Sequence, residues 1–312
     1  TMEAIATIQH FAVDTAFITA IKRNSRALNT RILEEAHLKE FQETTAYYTL
    51  PIPRDLALAY VFRLVSRGAK FSTIKRKVDS LHYAHRGMIS PFSTSDFKET
   101  LQGLKNTMND RNHNQVITKH SKPISKDHLI RVSDELTRLG TNKALRDRTI
   151  ITLGWMAALR VSEIQNLRVN DFVKEEGGYI LKLYKSKNLK AGEVGEKWLP
   201  KSKSSICPTH ALERYLEQFP RQANEHLFRS FRRGDIETEE VITRRSLQKL
   251  VNLLFGEGYT AHSLRSGFCS SAFESGATYS QVMQQSLHKS VEGLKAYDQS
   301  DKRKNNAVNG LV

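Results

Sequence analysis

The chain is 312 residues long and carries 48 Lys and Arg against 33 Asp and Glu, a formal net charge of +15, which points to a polyanionic partner, nucleic acid first. Its two cysteines, Cys207 and Cys269, form no Cys-x-x-Cys pair, so neither a metal site nor a disulfide scaffold is expected and a reducing, cytoplasmic setting fits. No run of eighteen apolar residues and no charged-then-apolar N-terminal segment occurs, so no membrane span or export signal is expected, and the length suits about two domains.

The basic excess lies in both halves, with 17 basic against 11 acidic residues in 1–120 and 31 against 22 beyond. A C-shaped clamp closing on a duplex from two sides would have this distribution, as would a solvated basic surface. From residue 2 to about 114 the pattern is helical. Leu56, Tyr60 and Leu64 repeat every four residues after Pro51-Ile-Pro53, and Ile74, Val78 and Leu81 follow at helical spacing after Ser72, read as an N-cap. Lys75, Arg76 and Lys77 stand off that apolar stripe, with Arg86 further on. They are either a solvated face or a set of phosphate contacts. Polar residues cluster from 110 to 125 ahead of Lys122-Pro123, marking a linker. The boundary is placed near 119, giving an N-terminal helical unit, 1–119, and a second unit, 120–312.

In the second unit Ser125 caps a helix carrying Leu129, Val132 and Leu136, and another helix spans 143–158. Arg160 follows, three positions before Glu163. An arginine behind so apolar a segment is costly to bury unless it is paired, here with Glu163, or used on an anion. Next the period turns to alternation, over 179–184 and 197–200, with Gly192 and Gly195 between, which predicts a β-hairpin whose connection holds Lys185, Lys187 and Lys190. Helices are predicted over 208–219 and around Leu247, Leu250, Val251 and Leu254. Between them Arg229, Arg232, Arg233, Arg244 and Arg245 offer charge for phosphates.

The densest chemistry lies between 262 and 297: His262-Ser-Leu-Arg265, then Ser286-Leu287-His288, then Tyr297. Positions three apart share a helix face, so one pocket can hold His262 and Arg265. Leu264, Phe268 and Ala272 would bury the other side and leave both at an exposed helix start, where anions are favoured. Guanidinium and imidazole donors stabilise the charge that gathers on a phosphorus centre during transfer, and tyrosine can serve as nucleophile. Residues 289–296 are expected to form a short helix carrying Tyr297.

The His-x-x-Arg box, the later histidine and the terminal tyrosine resemble the catalytic domain of tyrosine recombinases, the lambda-integrase family with its Cre-like and Xer-like enzymes. Ala158-Leu-Arg160-Val-Ser-Glu163 is similar to that family's Leu-Arg-x-Ser-Glu box, and Ser72-Thr73-Ile74-Lys75-Arg76 to a phrase of its core-binding domain. The usual Leu-Gly-His is Ser286-Leu287-His288 here, with leucine in the glycine's place.

The resemblance implies a mainly α fold with a small β-hairpin or sheet, as a helical core-binding domain followed by a catalytic domain. It implies a site-specific recombinase that cleaves DNA through a 3′-phosphotyrosyl intermediate without ATP or metal. Tyr297 would be the nucleophile, Arg160, Arg265, His262 and His288 would hold the phosphate, and Glu163 would be a supporting acid. Lys187, with Lys185 as rival, would be the general acid on the hairpin. It further implies four protomers on two DNA sites through a Holliday junction, with the final segment docking on a neighbour. A type IB topoisomerase-like relaxing enzyme and a catalytically silent DNA-binding regulator are the alternatives.

Overall fold

The structure is a computed structural model, and it describes residues 27–111 and 121–298. The chain divides into two compact units, Thr1–Lys119 and His120–Val312.

The first unit is helical throughout its described residues: α1 Leu28–Thr45, α2 Arg54–Ser66, α3 Phe71–Ala84 and α4 Ser95–Arg111. The two stripes read from the sequence build its core. Tyr60 and Leu64 from α2 meet Ile74, Val78 and Leu81 from α3, with Phe41 and Phe97 closing the cluster. Phe41 and Tyr60 pack edge to face at 5.0 Å between centroids, the arrangement that aromatic quadrupoles favour. Ser72 is not the cap. The first turn of α3 opens on Lys70, whose carbonyl accepts from the amides of Thr73 at 2.9 Å and Ile74 at 3.1 Å. The half-buried Phe71 packs against the core, so a hydrophobic anchor sets the helix start rather than a capping hydroxyl.

The second unit begins with α5 Lys126–Leu139, where the Ser125 hydroxyl accepts from the His128 amide at 3.3 Å and Gly140 ends the helix at φ 62°. The next helix, α6 Asn142–Met156, is buried on nearly every side; Ile150, Ile151 and Leu153 have no exposure. A helix buried on so many sides belongs at the centre of its unit, and its buried Arg146 and Asp147 are paired with each other. Short α7, Val161–Asn166, leads to an antiparallel sheet of β1 Phe172–Glu175, β2 Gly178–Leu183 and β3 Gly195–Pro200, paired in that order. Along β3 the inward positions are Gly195, Lys197 and Leu199.

The remaining elements are α8 Pro208–Gln218, β4 Arg229–Arg232, β5 Ile236–Val241, α9 Arg244–Phe255, α10 His262–Glu274 and α11 Tyr279–Ser286. Arg229 to Arg233 belong to a β4–β5 hairpin that the sequence reading did not foresee. Gly234 at φ 84° and Asp235 at φ 61° make its turn, a Gly-Asp signal that flanking strands of polar residues obscured. Arg229 is paired with Glu225 at 2.6 Å and Glu239 at 2.9 Å. No helix among the described residues is long and apolar enough to cross a membrane.

Gly267 sets how closely α10 lies on the rest of the unit. A Cβ there would stand 2.1 Å from the Ile124 carbonyl oxygen, the acceptor of the Trp155 Nε1 bond at 2.9 Å. Gly267→Ala should therefore cost about 1–3 kcal/mol through overpacking, seen as a lower denaturation midpoint; an unchanged midpoint would show that the segment before α5 yields freely.

Candidate active site

The site is built where α6 stops. Its last turn gives way to Ala158, which adopts φ 48°, and the chain turns into α7 with Arg160 as the residue before it. A helix C-terminus leaves carbonyls without partners at the negative end of its dipole, so cations are favoured there. Two arrive from distant elements. Arg265 Nη1 donates to the Ala158 carbonyl at 2.7 Å, and Lys197 Nζ to the Ala157 carbonyl at 2.7 Å.

Arg160 is held by a second device. Its Nη1 donates to Glu163 Oε1 at 2.8 Å and lies 2.9 Å from Ser186 Oγ, while its amide donates to Glu163 Oε2 at 2.9 Å. Ser186 donates to Glu163 Oε1 at 2.7 Å. Both uses proposed for this arginine are compatible: the ion pair with Glu163 orients a guanidinium that stays partly exposed. Burial pushes the Glu163 carboxyl up, but the Arg160 amide, Ser186 and the charge of Lys197 outweigh it and hold the group below its usual value.

The α10 box differs from expectation in one respect. His262 lies exposed at the first position of α10, but Arg265 is 0 % exposed, because its guanidinium turns inward to the end of α6. Burial and the like charge of Arg160 push it down to about 10, so it remains a cation at neutral pH. Its Nη2 lies 3.2 Å from His288 Nε2, and its buried Nε has no hydrogen-bond partner. A desolvated cation with an unused donor is primed for an anion.

His288 is oriented by Ser286, whose Oγ lies 2.7 Å from Nδ1. Burial, then Arg265 and Arg160, push the imidazole down to about 3, so it is neutral at physiological pH. Between the ordinary value of 6.5 and about 3 the unfolded chain binds a proton that the folded chain refuses. Stability from this group is therefore complete above 6.5 and is lost as pH falls through that window. His288→Gln should lessen the loss of stability between pH 7 and 4 by something on the order of 1 kcal/mol. Superimposable melting profiles for variant and parent would contradict it.

Leu287 takes the left-handed conformation, φ 55° and ψ 42°, that glycine adopts without penalty and leucine at a cost of roughly 1–2 kcal/mol. Its carbonyl accepts from Asn188 Nδ2 at 2.7 Å, and its side chain lies against Gly195. Contacts with the β2–β3 connection thus offset the strain.

Tyr297 is 8 % exposed, with Oη 3.1 Å from His262 Nε2 and its ring 6.1 Å from that of His288. Burial raises its phenol above the usual value, so the free hydroxyl is protonated at neutral pH. Instead of a helix over 289–296, a single 3₁₀ turn, Val291–Gly293, precedes it, followed by a turn closed from the Tyr297 amide to the Leu294 carbonyl at 2.9 Å. Buried Leu294 and Tyr297 pack with Cys269, Phe273 and Val282, and this packing in place of helical bonds holds the segment.

The structure thus brings together Arg160, Glu163, His262, Arg265, His288 and Tyr297. Lys187 and its rival Lys185 stand exposed on the β2–β3 connection, with Ser186 between them directed at Arg160. Sequence reasoning passed over Ser186, Ser286 and Lys197. Only Lys197 had a clear signal, a charge on the inward side of an alternating strand.

In the first unit Lys75 pairs with Asp79 at 2.9 Å and Lys77 with Glu40, while exposed Arg86 lies over Tyr83 at 3.5 Å. Lys77 is half-buried, so it is less open than the sequence suggested, and Arg76 is exposed. Arg244 and Arg245 are exposed in the first turn of α9, with Arg244 Nε 3.1 Å from Gln165 Oε1.

The model of the Phage integrase family matches residues 122–304, more than half of the chain. An integrase/recombinase xerD homolog of Selenomonas ruminantium is 24% identical over 306 residues, covering 92% of this chain and 86% of the relative. Tyrosine recombinase XerD of Oceanobacillus iheyensis is 22% identical over 271 residues, 84% of this chain and 82% of that protein. Among solved structures, the Tn1549 transposon integrase in complex with a circular intermediate DNA superposes with a TM-score of 0.63 at 14% identity, over 94% of this chain and 97% of that one. XerH site-specific recombinase bound to palindromic difH substrate, a post-cleavage complex, gives 0.60 at 16% identity, over 88% of this chain and 77% of that one.

Proposed function

From the premise that the chain belongs to the phage integrase family of tyrosine recombinases and is a site-specific DNA recombinase, we propose that it cuts and rejoins DNA through a 3′-phosphotyrosyl intermediate on Tyr297. The observation that carries this is the placing of the Tyr297 hydroxyl 3.1 Å from His262 Nε2, with His262 one helical turn before Arg265, whose Nε is buried and unpartnered.

In the proposed step the phenol oxygen bonds to the scissile phosphorus while the bond to the 5′ oxygen breaks. His262 receives the phenolic proton, and Lys187 returns one to the departing 5′ oxygen. Arg160 and Arg265 hold the non-bridging oxygens, where they act more strongly on the transition state than on the ground state. Neutral His288 adds a hydrogen bond without adding charge. Glu163 keeps Arg160 in place and does not touch phosphate. The phosphotyrosyl ester conserves the energy of the bond, so a partner strand's 5′ hydroxyl can reverse the reaction, and recombination proceeds by four protomers through a Holliday junction.

Lys75, Arg76, Lys77, Arg86, Arg244 and Arg245 are proposed contacts to DNA phosphates, which position a duplex without reading it. The C-terminal docking segment lies outside the described residues. It is proposed to join protomers, and deleting 306–312 should weaken assembly on DNA in a sizing experiment.

Incubation with a duplex nicked close to its cleavage position tests the reading. Loss of the short fragment should strand a covalent adduct whose tryptic peptide carries DNA on Tyr297. An adduct on another residue, or none on any mapped site, would refute it. Relaxation of plasmids lacking a target site would favour the topoisomerase reading instead.

A further inference from the structure

The end of α6, strand β3 and the end of α11 meet at one side chain that the chemistry above leaves unused. Lys197 is 1 % exposed, on the inward face of β3 between Gly195 and Leu199. Its Nζ donates to the Ala157 carbonyl at 2.7 Å and to the Gln285 carbonyl at 2.6 Å. Ala157 lies three residues before Arg160, and Gln285 three before His288. The Gln285 side chain ties the same junction, its amide donating to the Met156 and Trp198 carbonyls at 2.9 Å each and its oxygen accepting from the Trp198 amide at 3.1 Å.

A buried cation is expensive, and this one lies near Arg160 and Arg265 with Glu163 as the nearby carboxylate; burial pushes the ammonium down to about 7. An apolar residue of similar length would suit the interior better if packing were the only demand. A charge kept at such a place calls for a use.

We propose that Lys197 is a positioning residue for DNA cleavage, a strut that sets the spacing between the turn bearing Arg160 and the turn bearing His288 by holding one backbone carbonyl of each. The two turns come from segments more than a hundred residues apart, and Lys197 joins them alongside the Gln285 bond to the Met156 carbonyl and the Arg265 contacts with Ala158 and His288. Donors to a pentavalent phosphorus must be held within about half an ångström to be effective. The strut supplies that constraint from behind, and no atom of Lys197 needs to reach the DNA. Two of its three N–H donors are taken by carbonyls and the side chain is sealed inside the unit, so it is not assigned as the proton donor to the 5′ oxygen.

The inference rests on the cleavage reading given above, and the test separates the two. Single-turnover adduct formation is measured on a nicked duplex with wild type, Lys197→Met and Gln285→Ala, each checked by thermal melting and by DNA binding. Wild type must form the adduct; if it does not, the cleavage reading fails and this inference falls with it. With the wild-type adduct in hand, Lys197→Met is expected to slow cleavage about 100-fold while the dissociation constant for DNA stays within about twofold. Gln285→Ala reaches the junction without removing the charge, and should slow cleavage roughly tenfold.

Two further readings distinguish positioning from bulk destabilisation and from acid catalysis. In a His288→Ala background, Lys197→Met should cost less than about tenfold, because residues acting through one another are not additive. On a duplex with sulfur at the 5′ bridging position, whose departure needs no proton, the Lys197→Met defect should persist. Wild-type cleavage rates in a folded Lys197→Met protein, fully additive losses, or recovery on the sulfur substrate would each overturn the proposal.

Discussion

Tyr297→Phe should form no covalent DNA adduct, a loss of at least about 10⁴-fold, while site binding and thermal stability stay near those of the parent. The expectation of retained folding follows from packing. Tyr297 sits among Cys269, Phe273, Val282 and Leu294, and phenylalanine keeps that ring and loses only the hydroxyl, whose neighbour His262 is exposed and can turn to water. Denaturing gels of the nicked-duplex reaction provide the measurement. An adduct from the phenylalanine variant would mean that a different side chain attacks, and Tyr279, hydrogen-bonded to Asp298 at 2.6 Å, would be the next to map.

Arg265→Met should lower cleavage by about 10³–10⁵-fold, the range for an arginine that meets transition-state charge on phosphorus, without lowering the stability of the free protein. The two effects have one cause. Arg265 is fully buried, pushed down to about 10 by desolvation and by Arg160, and has an Nε that no group accepts from. Without an anion it is a destabilising charge, and an apolar side chain of similar length removes that cost. Against this stand the bonds to Ala158 and His288, which the substitution forfeits, so the melting temperature should stay level or rise by a few degrees. Full activity, or a fall in melting temperature of about 10 °C or more, would contradict the account and make Arg265 a structural tie to the end of α6.

Both predictions depend on how the residues are held, and here the sequence told an uneven story. Amphipathic helices were legible because their signal is local: Tyr60 with Leu64, Ile74 with Val78, Leu129 with Val132 and Leu136 all repeat at the helical period and all are buried. The Ser125 cap was legible for the same reason, one hydroxyl and one amide three residues on. Ser72 looked equivalent, but the anchoring of Phe71 in the core moved the helix start two residues earlier. A cap competes with long-range packing, and spacing alone does not say which wins. The β4–β5 hairpin was hidden because its strands expose much of both faces, so Arg-Ser-Phe-Arg and Ile-Glu-Thr-Glu-Glu-Val carry little alternation.

The order and type of the proposed reacting groups, Arg160, His262, Arg265, His288 and Tyr297, belong to the sequence itself, since the box spacing and the resemblance it carries need no coordinates. Electrostatic state does not. That Arg265 lies fully buried, that His288 is neutral, and that Lys197 joins two turns from within the unit were settled by the tertiary structure. Each depends on desolvation and on partners supplied by segments distant in the chain. Local spacing decides which side chains share a face; only the closing of α6, β3 and α11 on one another decides how much water those side chains keep.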